Sequence, residues 1–321
     1  MKLINSHDKF FKEVFSKKED AKEFIEKTLS SEIVKGLDLS TLENDNTEYV
    51  DAKLKSSFSD VVYNCKYKGE NDIKIALLFE HKSYPERYVH FQLLRYMQSI
   101  WDTQLKQEQK LTPVFPIVFY HGRQKWTKKN FKDYFDEVDD KIKDLLPCFD
   151  YELVDISTLS DEEIFNLYKN IELRTSILLL KNIFDKHFVS KLTVIFADVD
   201  QLLNNEFGER FIETTTAYIF FNNIDVNFQK IIEKMRTVSP KAGNKFVSIA
   251  SFLRKEGRRE GRREGRKEGR REGRREGLRE GRKEERREVA RNLIELGMDN
   301  EMIIRVTNLS EEEIIKLRKN K

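Results

Sequence analysis

Two neighbouring stretches of this chain alternate between apolar and polar residues with the period of a β-strand. FSDVVYNCKY, residues 58–67, puts Val61, Tyr63 and Cys65 on one side, because successive side chains of a strand point to opposite faces. IKIALLFEHK, residues 73–82, follows the turn sequence KGEN at 68–71. Polar residues and glycine between two such runs are typical of a hairpin. The sequence therefore predicts a β-hairpin, which fixes the face on which each of its residues lies.

Helices and further strands surround this hairpin. Residues 7–30 have the apolar spacing of two short helices, and ERYVHFQLLRYMQSIWD at 86–102 has the spacing of a third. PVFPIVFYHG at 113–122 is predicted as a strand, with another over CFDYELVDI at 148–156. From Asp161 to about Phe252 the pattern is mostly helical. The predicted fold class is α/β, a mixed sheet flanked by helices.

Charge is distributed unevenly along the 321 residues, of which 36% are charged although the formal net charge is only +3. Residues 254–288 contain 17 Lys or Arg against 10 Asp or Glu, and the remainder of the chain has a net charge near −4. A polyanion attracted by bulk electrostatics therefore meets this basic segment first, and the rest of the protein needs a local cleft to bind one.

The cysteines and the apolar runs exclude several classes of protein. Cys65 and Cys148 are too few and too far apart for a zinc site or a disulfide framework. The start, MKLINSHDKFFKEVF, has no apolar signal region, and the apolar runs fall far short of the ~20 residues that a membrane-spanning helix needs. We expect a cytoplasmic protein with no membrane partner.

The basic segment repeats a tetrapeptide close to EGRR, with seven glycines at four-residue intervals from Gly257 to Gly281. Each interior glycine costs a helix roughly 0.5–1 kcal/mol relative to alanine, whereas each Glu–Arg pair at i, i+3 returns only about 0.2–0.5 kcal/mol. We expect marginal helicity and favour a flexible charged linker over 254–288. A self-associating helix and a nucleic-acid-binding arm are the alternatives.

The last segment, residues 289–321, has the signals of three short helices. Gly297 can end the first helix, Asn300 can cap the second, and SEEE at 310–313 forms a capping box for the third. The unit resembles a small helix-turn-helix. Such trihelical units are often plain packing modules, and its last helix offers few basic residues for reading DNA.

Two acids and a lysine occupy one face of the predicted hairpin. Glu80 and Lys82 are two residues apart, and Asp60 lies opposite the apolar face of its own strand. Two carboxylates brought close together repel each other unless a divalent cation lies between them. Asp60 and Glu80 are therefore candidate ligands of Mg²⁺, or of another divalent metal such as Mn²⁺. Lys82 can orient a water nucleophile and offset charge in a transition state, although ordinary surface charges would give the same spacing.

The order of these elements, and the stretches HDKFFKEVF, FSDVVYNCKYKG, IALLFEHKSYPERYVHFQLLRYMQSIW and PVFPIVFYHG, resemble the recombination-promoting nuclease (Rpn) or YhgA-like putative transposase family. That family lies within the PD-(D/E)XK, or restriction-endonuclease-like, superfamily. The resemblance implies a Mg²⁺-dependent DNA endonuclease with Asp60, Glu80 and Lys82 as catalytic residues. Many relatives have Gln at the position of Lys82. The charged repeat and helical tail extend the likeness to the whole chain.

Three further residues are secondary candidates. Gln92 and Tyr96 lie one turn apart on the helix after the hairpin, where they can lean toward a phosphate or a ligand water, although a plain helix face is an equal alternative. Glu13 on the first helix is a candidate for an additional metal carboxylate, against a solvated surface acid. No Walker-type loop and no nucleophilic serine or cysteine constellation occurs in the sequence.

The predicted organisation has four parts: a nuclease core over 1–160, a helical extension over 161–253, the repeat over 254–288 as linker or helix, and the trihelical tail over 289–321. We expect a DNA endonuclease that promotes recombination, mobile-element movement or defence against foreign DNA, and a homodimer formed through the tail. The alternatives are a non-catalytic DNA-binding or scaffolding protein and an RNA-directed nuclease. The sequence does not reveal the target preference or the cut geometry.

Overall fold

The structure is a computed structural model of the chain, and it falls into two units, one ending at Leu253 and one beginning at Arg254. At residues 59, 60 and 77–80 the backbone is described but the side chains are not. The described residues are 6–45, 59–69, 71–80, 85–135, 137–204, 206–222 and 228–319.

A five-stranded mixed sheet forms the centre of the first unit, with its strands in chain order across the sheet. The pairs β1–β2 and β2–β3 are antiparallel, whereas β3–β4 and β4–β5 are parallel. This confirms the predicted α/β class, the hairpin and the strand that follows the third predicted helix. The strands are β1 (Leu37–Asp45), β2 (Ser59–Tyr67), β3 (Asn71–Glu80), β4 (Val114–Tyr120) and β5 (Glu152–Asp155).

Helices cover both faces of the sheet and make up most of the chain after it, as the sequence predicts. Short 3-10 turns occur at Phe131–Tyr134 and Ile156–Thr158. The helices that begin in this unit are α1 (Ser6–Phe15), α2 (Lys18–Thr28), α3 (Ser31–Gly36), α4 (Val89–Lys106), α5 (Asp140–Lys143), α6 (Asp161–Leu167), α7 (Ile171–Asn182), α8 (Phe188–Ile195), α9 (Val199–Leu202), α10 (Glu206–Asn222), α11 (Phe228–Val238) and α12 (Pro240–Glu295).

The two faces of the sheet contribute to two separate hydrophobic cores because side chains alternate along each strand. The larger core joins one face to α1, α2 and the helices from α6 onward, through strand residues Val61, Tyr63, Cys65, Ile75 and Phe119. The smaller core joins the other face to α4, and its strand residues are Val62, Ala76, Val118 and Tyr120. The helix that connects β3 to β4 therefore lies on the side of the hairpin opposite α1.

Strand β1 has no counterpart among the predicted elements. Its pairing with β2 shifts between Asp38, opposite Lys66, and Glu43, opposite Asn64, so four β1 residues face one residue of β2. Thr41 holds this bulge, since its Oγ1 donates to the Asp38 carbonyl at 2.7 Å and accepts from the Lys66 amide at 2.9 Å. A bulge breaks the two-residue period by which a strand is recognised in sequence. Strand β5, with four residues, is also shorter than predicted.

The EGRR-like repeat is helical throughout, within the 56-residue helix α12. This corrects the favoured expectation of a flexible linker. Apart from Leu278, the other three positions of each repeat are Arg, Lys or Glu, which are among the better helix formers, and they offset the glycines. A Cβ added to any of the seven repeat glycines meets nothing within 4 Å. Packing in this chain therefore does not require glycine there.

The second unit ends in a compact trihelical module. The end of α12 packs with α13 (Asn300–Thr307) and α14 (Glu311–Lys319) around Ala290, Ile294, Ile303, Leu309 and Ile314. Asp299 caps α13 by accepting from the Met302 amide at 2.8 Å. The three predicted helices are present, although the cap is Asp299 rather than Asn300.

Candidate functional site

The register of the hairpin places Asp60 and Glu80 at neighbouring positions. Asp60 pairs with Leu78, and Glu80 lies two residues beyond Leu78 on the same strand. Directly opposed residues of an antiparallel pair share a face, so positions 60 and 80 are diagonal neighbours on one face. Diagonal positions are about 7–8 Å apart, which permits two carboxylates to approach one cation. The distance between these carboxylates lies outside the described part of the structure.

The three parallel strands end together at this place. Glu80 is opposite Tyr120, and Tyr120 is opposite Asp155. Ligands of open α/β sheets bind in the crevice outside the carboxyl ends of such strands. Asp155 has a structural task, because its Oδ1 accepts from the Ser157 amide at 3.0 Å and its Oδ2 from the Trp126 amide at 3.4 Å. The carboxyl edge of the sheet, defined by Glu80, Tyr120 and Asp155, is therefore the candidate site.

Helix α4 covers the face on which the hairpin acids are placed. Val62 and Ala76, which share the alternation of positions 60 and 80, belong to the same core as Leu93 and Tyr96 of α4. Tyr96 is buried between α4 and the sheet. The structure thus brings Tyr96 to the face of Asp60 and Glu80.

Gln92 lies one turn before Tyr96 and carries an unsatisfied polar atom. Its Oε1 is buried, and no hydrogen-bond donor among the described residues reaches it. A buried amide oxygen without a partner costs about 1–3 kcal/mol, and such a group is a reason to look for a bound ion or water. Gln92 therefore offers a free acceptor on the helix that covers the candidate site.

Lys82, the third predicted catalytic residue, lies outside the described residues, between the end of β3 and residue 85. Its contribution stays a prediction. Among the described side chains, which do not include those of Asp60 and Glu80, no group of three or more His, Cys, Asp or Glu could hold a metal ion.

Glu13 is not brought to the hairpin acids. It lies on α1, whose apolar residues pack against the Val61 and Tyr63 face of the sheet, opposite the face of positions 60 and 80. Its Oε1 accepts from the Thr214 hydroxyl at 2.5 Å. It also lines a groove of about 200 Å³ between α1 and α10. The structure gives Glu13 a contact that joins two helices, on the other face of the sheet from positions 60 and 80, and the metal-ligand hypothesis for it stays a prediction.

The start of α1 brings a carboxylate, Asp8, that the sequence indicates only as a helix cap. Asp8 is 8% exposed in the first turn of α1. The ring of its neighbour His7 lies 5.6 Å from the ring of His121, which directly follows β4. Asp8 therefore belongs to the same end of the sheet as Glu80. Only its burial distinguishes it from an ordinary helix-capping acid, and burial is not visible in sequence.

The trihelical module offers little positive charge on its last helix. The first turn of α14 contains three glutamates, Glu311 to Glu313. Arg318 is used internally, since its Nε donates to Asn300 Oδ1 at 2.9 Å and its guanidinium also bonds the Met298 carbonyl. Within α14 only Lys316 and Lys319 remain for contacts with a phosphate backbone.

None of the helices in the described ranges combines the length and the apolar character needed to cross a lipid bilayer.

Comparisons with known families place both units. Residues 5–209 match the family model described as "Putative transposase, YhgA-like". Residues 283–319 match the model described as "Rpn/YhgA-like nuclease family, C-terminal HTH domain". The second match overlaps the trihelical module and the end of α12.

Several curated proteins resemble the chain over most of its length. Recombination-promoting nuclease RpnA of Escherichia coli K12 is 25% identical over 96% of this chain and 95% of its own length. The inactive recombination-promoting nuclease-like protein RpnE of the same strain is 26% identical over 96% of both chains. Recombination-promoting nuclease RpnD of E. coli O157:H7 is 23% identical over 78% of this chain and 94% of its own length. No solved structure gives a significant match.

Proposed function

The chain belongs to the YhgA-like putative transposase family, and from that premise we propose that it is a metal-dependent DNA endonuclease with a PD-(D/E)XK core. Its reaction is hydrolysis of a phosphodiester bond by water. The observation that carries the proposal is the hairpin register, which makes Asp60 and Glu80 diagonal neighbours at the carboxyl edge of the sheet.

The donor set around this edge suits a hard divalent cation. Carboxylate and amide oxygens are the ligands that Mg²⁺ and Mn²⁺ take in proteins, and Gln92 Oε1 is a buried oxygen with no donor among the described residues. Asp60 and Glu80 would hold the ion. When bound, such an ion supplies a positive charge next to the scissile phosphate and a more acidic water at neutral pH.

The protein's own groups have separate tasks in this proposal. Lys82 positions the attacking water and offsets negative charge on the phosphate as the new bond forms. With an ion bound, Gln92 would accept a hydrogen bond from a nearby water through Oε1 and so orient that water. Tyr96, buried against the sheet, keeps the helix surface that carries Gln92 at a fixed distance from the acids.

DNA is the proposed substrate, and the proposed organisation is a homodimer. Three full-length or nearly full-length relatives have recombination-promoting nuclease, or its inactive form, in their names. Two copies suit cleavage of both strands of a duplex. Pairing through the trihelical module is consistent with its exposed apolar residues Met302 and Val306, which lie one turn apart on α13. The proposed role is recombination, mobile-element movement or defence against foreign DNA, in the cytoplasm.

A nicking assay on supercoiled plasmid with Mg²⁺ tests the catalytic proposal. Glu80→Ala and Lys82→Ala should remove nicking, whereas Asp72→Asn should keep it, since Asp72 is an exposed acid at the opposite end of β3. Equal nicking by all four proteins would mean that this edge is not the active site. EDTA should stop the wild-type reaction, and added Mn²⁺ should restore it.

A non-catalytic DNA-binding protein is the second candidate, because one relative over 96% of the chain is named inactive. Duplex binding without nicking, under any divalent metal, would favour it. A parallel cleavage assay on RNA of the same sequence separates a DNA nuclease from an RNA-directed one.

A further inference from the structure

A basic segment follows β4 at the carboxyl edge of the sheet. Residues 123–132, RQKWTKKNFK, contain five Lys or Arg and no acid. The rest of the chain outside 254–288 has a negative net charge, so this concentration of positive charge runs against its surroundings. Because Tyr120 is opposite Glu80 in the sheet, the segment starts beside the candidate site.

The beginning of this segment is held rigidly against the ends of the strands. The hydroxyl of Tyr120 donates to the Gln124 carbonyl at 2.9 Å, and the Trp126 ring meets the Tyr120 ring edge-on at 4.9 Å between centroids. Trp126 is buried, and its amide donates to the Asp155 carboxylate. A Cβ at Gly122 would lie 2.0 Å from the Tyr120 oxygen, so only glycine fits. These contacts tie the backbone between 120 and 126 to the edge.

Three of the five basic side chains are engaged within the protein. Arg123 donates to the Phe184 carbonyl at 2.6 Å. Lys128 bonds Asp150 at 2.9 Å and lies 5.0 Å from the centre of the Tyr151 ring. The third engaged side chain, Lys132, bonds Asp144 at 2.6 Å. These contacts fix the course of the segment and leave its outer surface to the remaining lysines.

Lys125 and Lys129 are the two that remain. Both are exposed, and neither has a hydrogen bond, ion pair or ring contact with any part of the chain that the structure describes. They flank the buried Trp126 anchor and the engaged Lys128, so their backbone is fixed while their ammonium groups extend into solvent. Because the backbone is already fixed, less conformational entropy is lost when the two ammonium groups bind an anion.

We propose that Lys125 and Lys129 bind phosphates of a DNA duplex next to the scissile bond and position it at the carboxyl edge. This inference rests on the proposed nuclease function and names the surface by which its substrate is held. Lysine binds a phosphate as a point charge and reads no base. The surface therefore holds duplexes of any sequence, and the strength of its binding depends on salt.

The test measures duplex binding in a Glu80→Ala background, so that cleavage does not interfere. Fluorescence anisotropy gives the affinity of the full chain for a labelled duplex between about 50 and 200 mM salt. The logarithm of the affinity falls linearly with the logarithm of the salt concentration, and removal of two phosphate contacts should make this slope shallower by about 1.8. Raising the salt over that range should therefore weaken DNA binding by the protein with both lysines about twelve-fold more than binding by Lys125→Ala/Lys129→Ala. The basic repeat is the same in both proteins and cancels in the comparison.

The matched control is Lys230→Ala/Lys241→Ala, two exposed lysines of the same unit with no partner in the described chain, on α11 and at the start of α12. It should leave the slope unchanged. Lys125→Arg/Lys129→Arg should restore the slope, since arginine keeps the charge. In the nicking assay the double alanine variant should raise KM and leave kcat near the wild-type value.

Several results would overturn the inference. An unchanged slope, or an equal change in the control, would mean that Lys125 and Lys129 do not bind DNA, even if the protein nicks plasmid. A slope change on duplex RNA but not on DNA assigns the surface to RNA. If the slope falls as expected while the wild-type protein nicks nothing, the binding surface stands and the nuclease proposal fails.

Discussion

The carboxylate of Asp20 on α2 gives the sharpest prediction about stability. Asp20 is 2% exposed. Its Oδ1 accepts from Asn170 Nδ2 at 2.6 Å, whereas its Oδ2 is buried and receives no hydrogen bond from any described residue. Burial raises the pKa of Asp20 to about 7, although nearby Lys17 acts in the opposite direction. The folded protein therefore binds a proton at Asp20 more tightly than the unfolded chain does.

The consequence for stability follows from the order of the two pKa values. The unfolded value is 3.8, so below about pH 4 the group is protonated in both states and costs nothing. As the pH rises from about 4 to about 7 the unfolded chain loses the proton first, and the free energy of unfolding falls. At 1.36 kcal/mol for each pKa unit, the full difference is about 4 kcal/mol.

Asp20→Asn should remove this cost. The new amide keeps the oxygen that accepts from Asn170, but its NH₂ group has no acceptor in place of Oδ2, which costs about 1–3 kcal/mol. The variant should therefore be more stable than wild type by about 1–3 kcal/mol at pH 8. At pH 5 it should be equal or slightly less stable, because only about 1.6 kcal/mol of the wild-type cost has accumulated there and the unpaired amide offsets it.

Urea unfolding at pH 5, 6, 7 and 8, followed by tryptophan fluorescence, measures this difference. Trp101 and Trp126 are the two tryptophans of the chain, and both lie in the first unit. Glu19→Gln is the matched control, an exposed acid beside Asp20 on the same helix. If the stability of Asp20→Asn relative to wild type did not change between pH 5 and 8, burial would not raise the pKa of Asp20 in the folded protein.

Three further predictions concern single side chains. Burial raises the pKa of Asp161, but hydrogen bonds from Lys181 and Lys191 outweigh it and lower that pKa to about 2; Asp161→Asn should cost about 2 kcal/mol in urea unfolding at pH 7, a difference that shrinks as the pH falls from about 4 to about 2. Gln92→Ala should reduce nicking by about 10–100-fold with an unchanged or higher melting temperature, because Oε1 has no donor in the described chain to lose and its burial is unfavourable; an unchanged rate would mean that Gln92 is not part of the site. Gly122→Ala should destabilise the first unit by about 1–3 kcal/mol, since its Cβ would collide with the buried tyrosine at the end of β4; a wild-type melting curve would show that the segment after β4 can shift freely.

The predictions from sequence succeed where one physical period dominates. The alternation of β2 and β3 and the apolar spacing of α1, α2 and α4 are strong local signals, and each of these elements is found near its predicted place. The position of Asp60 and Glu80 on one face follows from the same alternation. Because side chains alternate with a period of two, a short stretch of sequence is enough to predict the face on which each strand residue lies.

The failures have equally specific causes. Strand β1 is missed because its bulge interrupts the alternation between Asp38 and Glu43. The repeat in α12 is expected to be a linker because glycine costs are counted more heavily than the favourable propensities of Arg and Glu. Lys129 is not singled out at all, since its significance depends on the strand ends to which its neighbours are tied.

The tight turn at Lys68 and Gly69 has a consequence for comparing related chains. Both residues have positive φ, 47° and 94°, and Tyr67 pairs with Asn71 across them. Asp60 is therefore reached by counting seven residues back from Tyr67, and Glu80 by counting nine forward from Asn71. A longer turn in a relative leaves both counts intact, whereas a single residue inserted inside either strand transfers one acid to the wrong side. Insertion of an odd number of residues within these strands, rather than low overall identity, should thus mark the family members in which the two acids no longer share a face.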